Sequence, residues 1–299
     1  MAIPESQLVT WSHPGAITTA IATHESIRNA LAANTSHIRD MDYEVYLQGS
    51  YKNSTNIRGD CDVDIVVQLN STYCRDLSSL SEEERILYEQ NRSAATYSWE
   101  DFRRDVLQAL RNYYRSTNVS EGNKSLKVSG GSGRLPADVI VCIQYRKYRR
   151  FHSFSDEEYI EGIAFYSRND GRLIVNYPKQ HYTNGVRKNA QSSTKGWYKP
   201  TVRVFKNLRT YLVDHGNIME DLAPSYFLEC LIYNVPNGQF DGDYQETFCN
   251  VVNWLNNANF NNFMCQNGLL RLFGGLPEQW SEESARKLIA TLINLWNNW

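Results

Sequence analysis

Charge of one sign is what this sequence most lacks. Its 31 lysines and arginines face 33 aspartates and glutamates, a formal net charge of −2. No global field drives it onto a nucleic acid, so an extended nucleic-acid groove is not expected, although a local basic patch is compatible with this balance. Paired cysteines are lacking too. The six cysteines, Cys61, Cys74, Cys142, Cys230, Cys249 and Cys265, are scattered, and none forms a CxxC pair. This spacing suggests neither a zinc ribbon nor a compact disulfide framework; it reads as buried thiols in a reducing cytosol, which places the protein in the cytoplasm. No apolar run approaches the roughly 18 residues of a membrane span. The start, MAIPESQLVTWSHPG, has no basic segment leading into an apolar core, so it is not expected to act as a signal peptide. Internal repeats and low-complexity linkers are absent. What is present is a chain of 299 residues, 41% hydrophobic and 21% charged. That is an ordinary composition for a soluble globular protein, and the length prefers two lobes over one.

The stretch Leu47–Leu69, LQGSYKNSTNIRGDCDVDIVVQL, organises the rest. A Gly49-Ser50 dipeptide is followed by a polar segment, then by Asp60, Asp62 and Asp64 at alternate positions, then by the β-branched run Ile65, Val66, Val67. That run reads as a buried strand. Strand side chains alternate between faces, so Asp62 and Asp64 share one face, and Cys61 between them faces away. Two carboxylates side by side repel unless a cation lies between them. Their oxygens suit Mg²⁺, which is held by one or two carboxylates together with substrate phosphates. The Gly-Ser suits a tight turn whose backbone N–H groups and hydroxyl hold a phosphate. A short helix beginning near Ser50 would add its dipole.

Along the chain, residues 17–41 read as a helix and Tyr43–Leu47 as the first strand. Glu82–Asn91 and Ser98–Tyr114 read as helices, the second capped by Ser98 and packed through Phe102, Val106, Leu110 and Tyr113. Lys124–Val128 reads as a strand. Ala137–Ile143 is a hydrophobic strand opened by Asp138, a lone carboxylate that is unusual there unless paired. Glu161–Tyr177 reads as a hairpin about Asn169-Asp170-Gly171-Arg172. Pro178–Gly196, with His181, Asn184, Lys188 and Asn189, reads as a long polar loop. Trp197–His215 returns to helix, with Lys199, Arg203, Lys206 and Thr210 along one side. Ala223–Val235, Tyr244–Ala258 and Ser281–Asn298 complete the helices, the last capped by Ser281 and packed through Ala285, Leu288, Ile289, Leu292, Ile293 and Trp296.

Gly49-Ser50 followed by Asp62-Val63-Asp64 resembles the polymerase-β-like nucleotidyltransferases. The longer run GSYKNSTNIRGDCDVDIVV resembles the bacterial CD-NTases, relatives of cyclic GMP–AMP synthase and oligoadenylate synthase. The resemblance covers about residues 17–260. It implies an α+β fold, with a small mixed sheet flanked by helices, a mainly helical C-terminal lobe and the active site in the cleft between them. The lobes are expected at 1–190 and 191–299. By the same resemblance Asp138 is the third metal carboxylate, and two Mg²⁺ ions, replaceable by Mn²⁺, bridge Asp62, Asp64 and Asp138. Lys206 is carried over as a triphosphate ligand, with Lys199 and Arg203 beside it, and Tyr226 as a base-stacking ring. The implied reaction joins nucleoside triphosphates, ATP and/or GTP, into a cyclic di- or oligonucleotide second messenger and releases pyrophosphate. The implied setting is antiphage (CBASS) defence, with an activating protein partner compatible with the family. The zinc-binding insertion of animal cyclic GMP–AMP synthase has no counterpart here. Two alternatives stay open on residues alone: a nucleotidyltransferase acting on a protein or tRNA, and a catalytically inactive nucleotide-binding module.

Overall fold

The computed structural model describes residues 2–299 except Ala16, Asp60, Cys61 and Pro277. Its contacts divide the chain into two compact units. A sheet unit comprises 16–51 and 61–179, and a helical unit comprises 1–15, 52–60 and 180–299. The sequence partition at 190/191 has neither the early segment 1–15 nor the excursion 52–60 packing with the C-terminal helices.

The sheet unit holds seven strands among the described residues: β1 Tyr43–Leu47, β2 Val63–Asp76, β3 Val119–Glu121, β4 Leu126–Val128, β5 Ala137–Ser153, β6 Asp156–Tyr166 and β7 Leu173–Asn176. Their order is β1-β2-β5-β4-β3, with β6 on β5 and β7 on β6. Only β2 and β5 run parallel. The alternation within each strand decides its faces. Val63, Ile65, Val67 and Leu69 of β2 and Val139, Val141 and Ile143 of β5 are buried on one face. There they meet Ala20, Ile27 and Leu31 of α2 (Thr18–Leu31) and Phe102, Val106 and Leu110 of α5 (Trp99–Tyr114). Burying each large side chain of this layer contributes about 1.5–3 kcal/mol. On the opposite face Val66, Ile140, Cys142, Ile163, Phe165 and Ile174 form a smaller cluster. The hydrophobic run expected at 137–143 is thus the start of a much longer strand.

Local signals set most boundaries. Ser98 and Asp101 form a capping box at the start of α5, as Ser81 and Glu84 do for α4 (Glu82–Asn91). In α5 the apolar stripe continues from Leu110 to buried Tyr114, four residues on, and Tyr113 is exposed rather than core. The helix expected over 17–41 ends at Leu31, because Asn34, Thr35 and Ser36 compete for main-chain hydrogen bonds; Ile38 is buried beyond it. The hairpin between β6 and β7 turns at Gly171, at φ +67.

The expected polar loop 178–196 is helical: α6 Pro178–Asn189 and α7 Gln191–Thr194. Pro178 suits a first helical position, and the buried face is small, chiefly His181 and Gly185. A polar helix with so narrow a buried stripe has little apolar periodicity to read. The rest of the helical unit is α1 Glu5–Ser12, α8 Tyr198–Asp214, α9 Ser225–Tyr233, α10 Tyr244–Asn257 and α11 Glu282–Asn298. Val202, Phe205 and Leu208, Leu228 and Ile232, Phe248 and Val251, and Leu288, Ile289 and Leu292 meet in its core. No helix among the described residues is long and apolar enough to cross a membrane.

Candidate active site

Three strands bring the charged residues of the sheet unit together. Asp64 is the second residue of β2 and Asp138 the second of β5, and the parallel register pairs the two. Adjacent strands lie about 4.8 Å apart, so these carboxylates start from neighbouring backbones. Both are half-buried. Their sequence neighbours Val63, Ile65, Ala137 and Val139 point into the helix-covered core, which turns the two aspartates to the other face. Asp62, exposed, precedes the strand by one residue. Asp60 and the expectation that Cys61 faces away lie outside the described residues.

Gly49 forms the turn beside them. It has φ +65, and a Cβ built there would overlap Oδ2 of Asp64. The Gln48 N–H donates to the Asp64 carbonyl at 3.0 Å. Only a residue without a side chain admits this approach. The short helix expected near Ser50 is present as α3, Gly49–Asn53. Among the described residues no three acidic, histidine or cysteine groups converge into a ready-made metal cage. Asp138 is drawn instead to Lys127, whose Nζ lies 3.5 Å from Oδ1. The donor set itself, hard carboxylate oxygens on one face beside a glycine turn, fits a divalent cation such as Mg²⁺.

The remaining sequence candidates belong to the helical unit. Lys206 and Arg203 on α8 are buried, not exposed along a stripe. The Lys206 ammonium donates to the Thr55 carbonyl at 3.0 Å, and Arg203 donates to the Ser54 carbonyl. Thr55 donates through its hydroxyl to Glu229 of α9 at 2.9 Å, and the other Glu229 oxygen lies 3.1 Å from Nε2 of His181. Burial pushes the Glu229 carboxyl up, yet the His181 hydrogen bond, the charges of His181 and Lys206 and the Thr55 hydroxyl outweigh it and hold it below the usual glutamate value. Tyr226 is partly exposed and stacks on His181, centroids 5.5 Å apart at 25°.

Lys199 is half-buried. Burial, with the Arg203 charge, pulls its ammonium down from the usual lysine value against the pull of Glu229. It shares the Tyr182 ring with Lys52: their Nζ atoms lie 5.6 and 4.6 Å from its centroid. Neither ammonium has a carboxylate in ion-pair contact among the described residues. Sequence reasoning missed Lys52, Tyr182, Lys127 and Glu229. Lys52 stands inside the GSYKN run and Glu229 inside an otherwise apolar helix, so two of them carried a signal.

Such a parallel pair of strand carboxylates beside a Gly-Ser turn is the arrangement of a polymerase-β-like nucleotidyltransferase. Residues 183–297 match the cGAS/DncV-like nucleotidyltransferase C-terminal helical domain. The chain is 54% identical over 299 residues to a cyclic UMP-AMP synthase of Rhodothermus marinus, covering 100% of this chain and 99% of that protein. The solved structure of the Rhodothermus marinus CdnE c-UMP-AMP synthase with Apcpp and Upnpp superposes with a TM-score of 0.89 at 53% identity, over 99% of this chain and 97% of that one. A cyclic nucleotide synthase, CdnE01, of Staphylococcus haemolyticus is 43% identical over 304 residues, covering both chains fully, at 100% each. The chain belongs to the CD-NTases, the cGAS/DncV-like nucleotidyltransferases. It is a nucleotidyltransferase of the cyclic-nucleotide-synthase type.

Proposed function

We propose that the protein joins nucleoside triphosphates, ATP or GTP among them, into a cyclic di- or oligonucleotide, with Asp62, Asp64 and Asp138 holding two Mg²⁺ ions that Mn²⁺ can replace. The observation that carries this reading is the side-by-side register of Asp64 and Asp138, with Asp62 at the alternate position before them. Bound there, the cations supply charge neutralisation at the leaving phosphates and a lowered pKa at the attacking ribose hydroxyl. The protein contributes position. Gly49 lets the main chain approach, and Ser50 offers its N–H and hydroxyl to the donor phosphates. Lys199 offers an ammonium, while Lys206 and Arg203, which donate to the carbonyls of Thr55 and Ser54, lend fixed positive charge. Tyr226 presents its ring to a base, a contact worth about 1–3 kcal/mol.

The acceptor is a second nucleotide. With a net charge of −2 the protein offers no extended field for a polymer. Ring closure is intramolecular and so favoured by effective concentration. It also removes the terminal triphosphate, hence a main handhold, and the ring dissociates. We place the enzyme in the cytoplasm, its product activating an effector in antiphage defence, under control of an activating protein partner. Incubation with the four labelled triphosphates and Mg²⁺ or Mn²⁺, without added acceptor, tests the reading. A phosphatase-resistant product is expected, whose bases and linkages follow from mass and linkage-specific nuclease digestion. Label on a macromolecule, or a ladder of linear chains that lose their terminal phosphates to phosphatase, would overturn it.

A further inference from the structure

The row of charges on the sheet does not end at Asp138. Antiparallel pairing of β4 with β5 sets Lys127 directly beside Asp138, as parallel pairing sets Asp64 on its other side. Leu126 and Val128, which flank Lys127, are buried in the same core as Val63, Ile65, Ala137 and Val139. Asp64, Asp138 and Lys127 therefore form one row across three strands on one face. The Lys127 Nζ stands 3.5 Å from Oδ1 of Asp138.

We propose that Lys127 is the built-in counter-ion of this carboxylate site and that a divalent cation binding there displaces it. The proposal rests on the reading of Asp62, Asp64 and Asp138 as metal ligands. Adjacent carboxylates repel, and an ammonium at ion-pair distance offsets part of that repulsion. A cation ligated by Asp138 would stand close to the same ammonium, and like charges cannot share the place. Lys127 is free to leave: its side chain is 57% exposed, that of Asp138 29%. A lysine is a compact charge on a flexible four-carbon stem, so swinging into water needs no main-chain movement. The cost to the metal is competition. The free protein gives up an existing ion pair for each cation it takes at Asp138.

The test is a calorimetric titration of nucleotide-free protein with Mn²⁺, alongside melts with and without the metal. Lys127→Met removes the competing charge and keeps the length of the side chain. It should bind Mn²⁺ about fivefold more tightly, the factor expected for a solvent-exposed ion pair at this distance. Its metal-free melting temperature should fall and its rise on adding Mn²⁺ should exceed the wild-type rise. Lys127→Arg, which keeps the charge, should bind as wild type does. Asp64→Asn should lose the site. Unchanged or weaker Mn²⁺ binding in Lys127→Met, with Asp64→Asn still inactive in binding, would overturn the counter-ion and leave the metal ligands in place. Equal binding by wild type and Asp64→Asn would instead overturn the metal reading itself. Lys127→Gln serves as a second neutral variant if the methionine protein does not fold.

Discussion

Gly49 at φ +65 faces the carboxylate of Asp64 with no atom where every other residue carries a Cβ. Two costs follow from adding one. The left-handed backbone disfavours an L side chain by about 1–2 kcal/mol, and the methyl would drive the Asp64 carboxylate from its position. Gly49→Ala should therefore melt slightly lower and lose turnover by about 100-fold, the scale of a misplacement near 1 Å. Product formation under saturating triphosphate, read beside a melt, checks it. Wild-type turnover in Gly49→Ala would show that the close approach does not matter.

On the proposed reading the carboxylates act on rate, not on folding. Asp62→Ala, Asp64→Ala and Asp138→Ala should each stop turnover, since cations held there supply several kcal/mol to the transition state. The metal-free proteins should melt no lower than wild type after Asp62→Ala or Asp64→Ala, because repulsion between neighbouring carboxylates is relieved. Asp138→Ala also strands Lys127, whose ion pair is exposed and worth at most about 1 kcal/mol. An Asp64→Ala enzyme with normal turnover would remove the metal assignment.

Much of this was legible in the chain, for reasons particular residues make clear. A run of β-branched residues after Asp64 announces a strand, and a glycine-serine at fixed distance before it announces a turn. Capping serines at 98 and 281 placed two helix starts. What the pattern could not carry was pairing. Nothing local says that β5 continues to Ser153, or that Lys127 lies beside Asp138, because both follow from strand register. The 178–196 segment hid its helix behind polar residues whose buried face is one histidine and one glycine. Lys206 and Arg203 read as phosphate ligands, and nothing local showed that they are buried against the carbonyls of Thr55 and Ser54, which lie about 150 residues away in sequence.

Glu229 gives the fold a pH dependence with a definite sign. Its folded pKa lies below the unfolded glutamate value near 4.3. A depressed carboxylate contributes stability above the unfolded pKa, and that contribution is lost as pH falls through the folded pKa. Glu229→Gln should thus be less stable than wild type at pH 7 by about 3 kcal/mol, the scale of breaking a buried ionic network by removing one partner. The gap should narrow below about pH 4. Urea denaturation followed by tryptophan fluorescence at pH 7, 5 and 3.5 measures it. A gap that stays constant over this range would mean that the Glu229 charge is not what the Thr55 and His181 contacts depend on.

Lys52 and Lys199 approach one Tyr182 ring, within the roughly 6 Å reach of a cation–π contact. Both like charges thus lie near one ring, and a polyanion bound beside them would relieve their repulsion. A triphosphate carries that charge and a monophosphate carries less. Lys52→Met and Lys199→Met should each weaken triphosphate binding by about fivefold, the worth of one partly screened charge contact. Binding of the matching monophosphate should change less, and the losses should shrink as salt rises, since exposed charges are screened over about 8–10 Å. Lys206→Ala should also favour the monophosphate relative to the triphosphate, but with a lower melting midpoint, because its buried ammonium holds the Thr55 carbonyl. Lys52→Met should melt as wild type does. Steady-state kinetics separate the roles: for Lys52→Met and Lys199→Met the KM for the triphosphate rises while kcat is nearly kept, the signature of lost uniform binding. Tyr182→Leu, which removes the ring and leaves both ammoniums, should reproduce a smaller part of the same KM increase. Equal losses for triphosphate and monophosphate in the two lysine variants would take the phosphate role away from this pair.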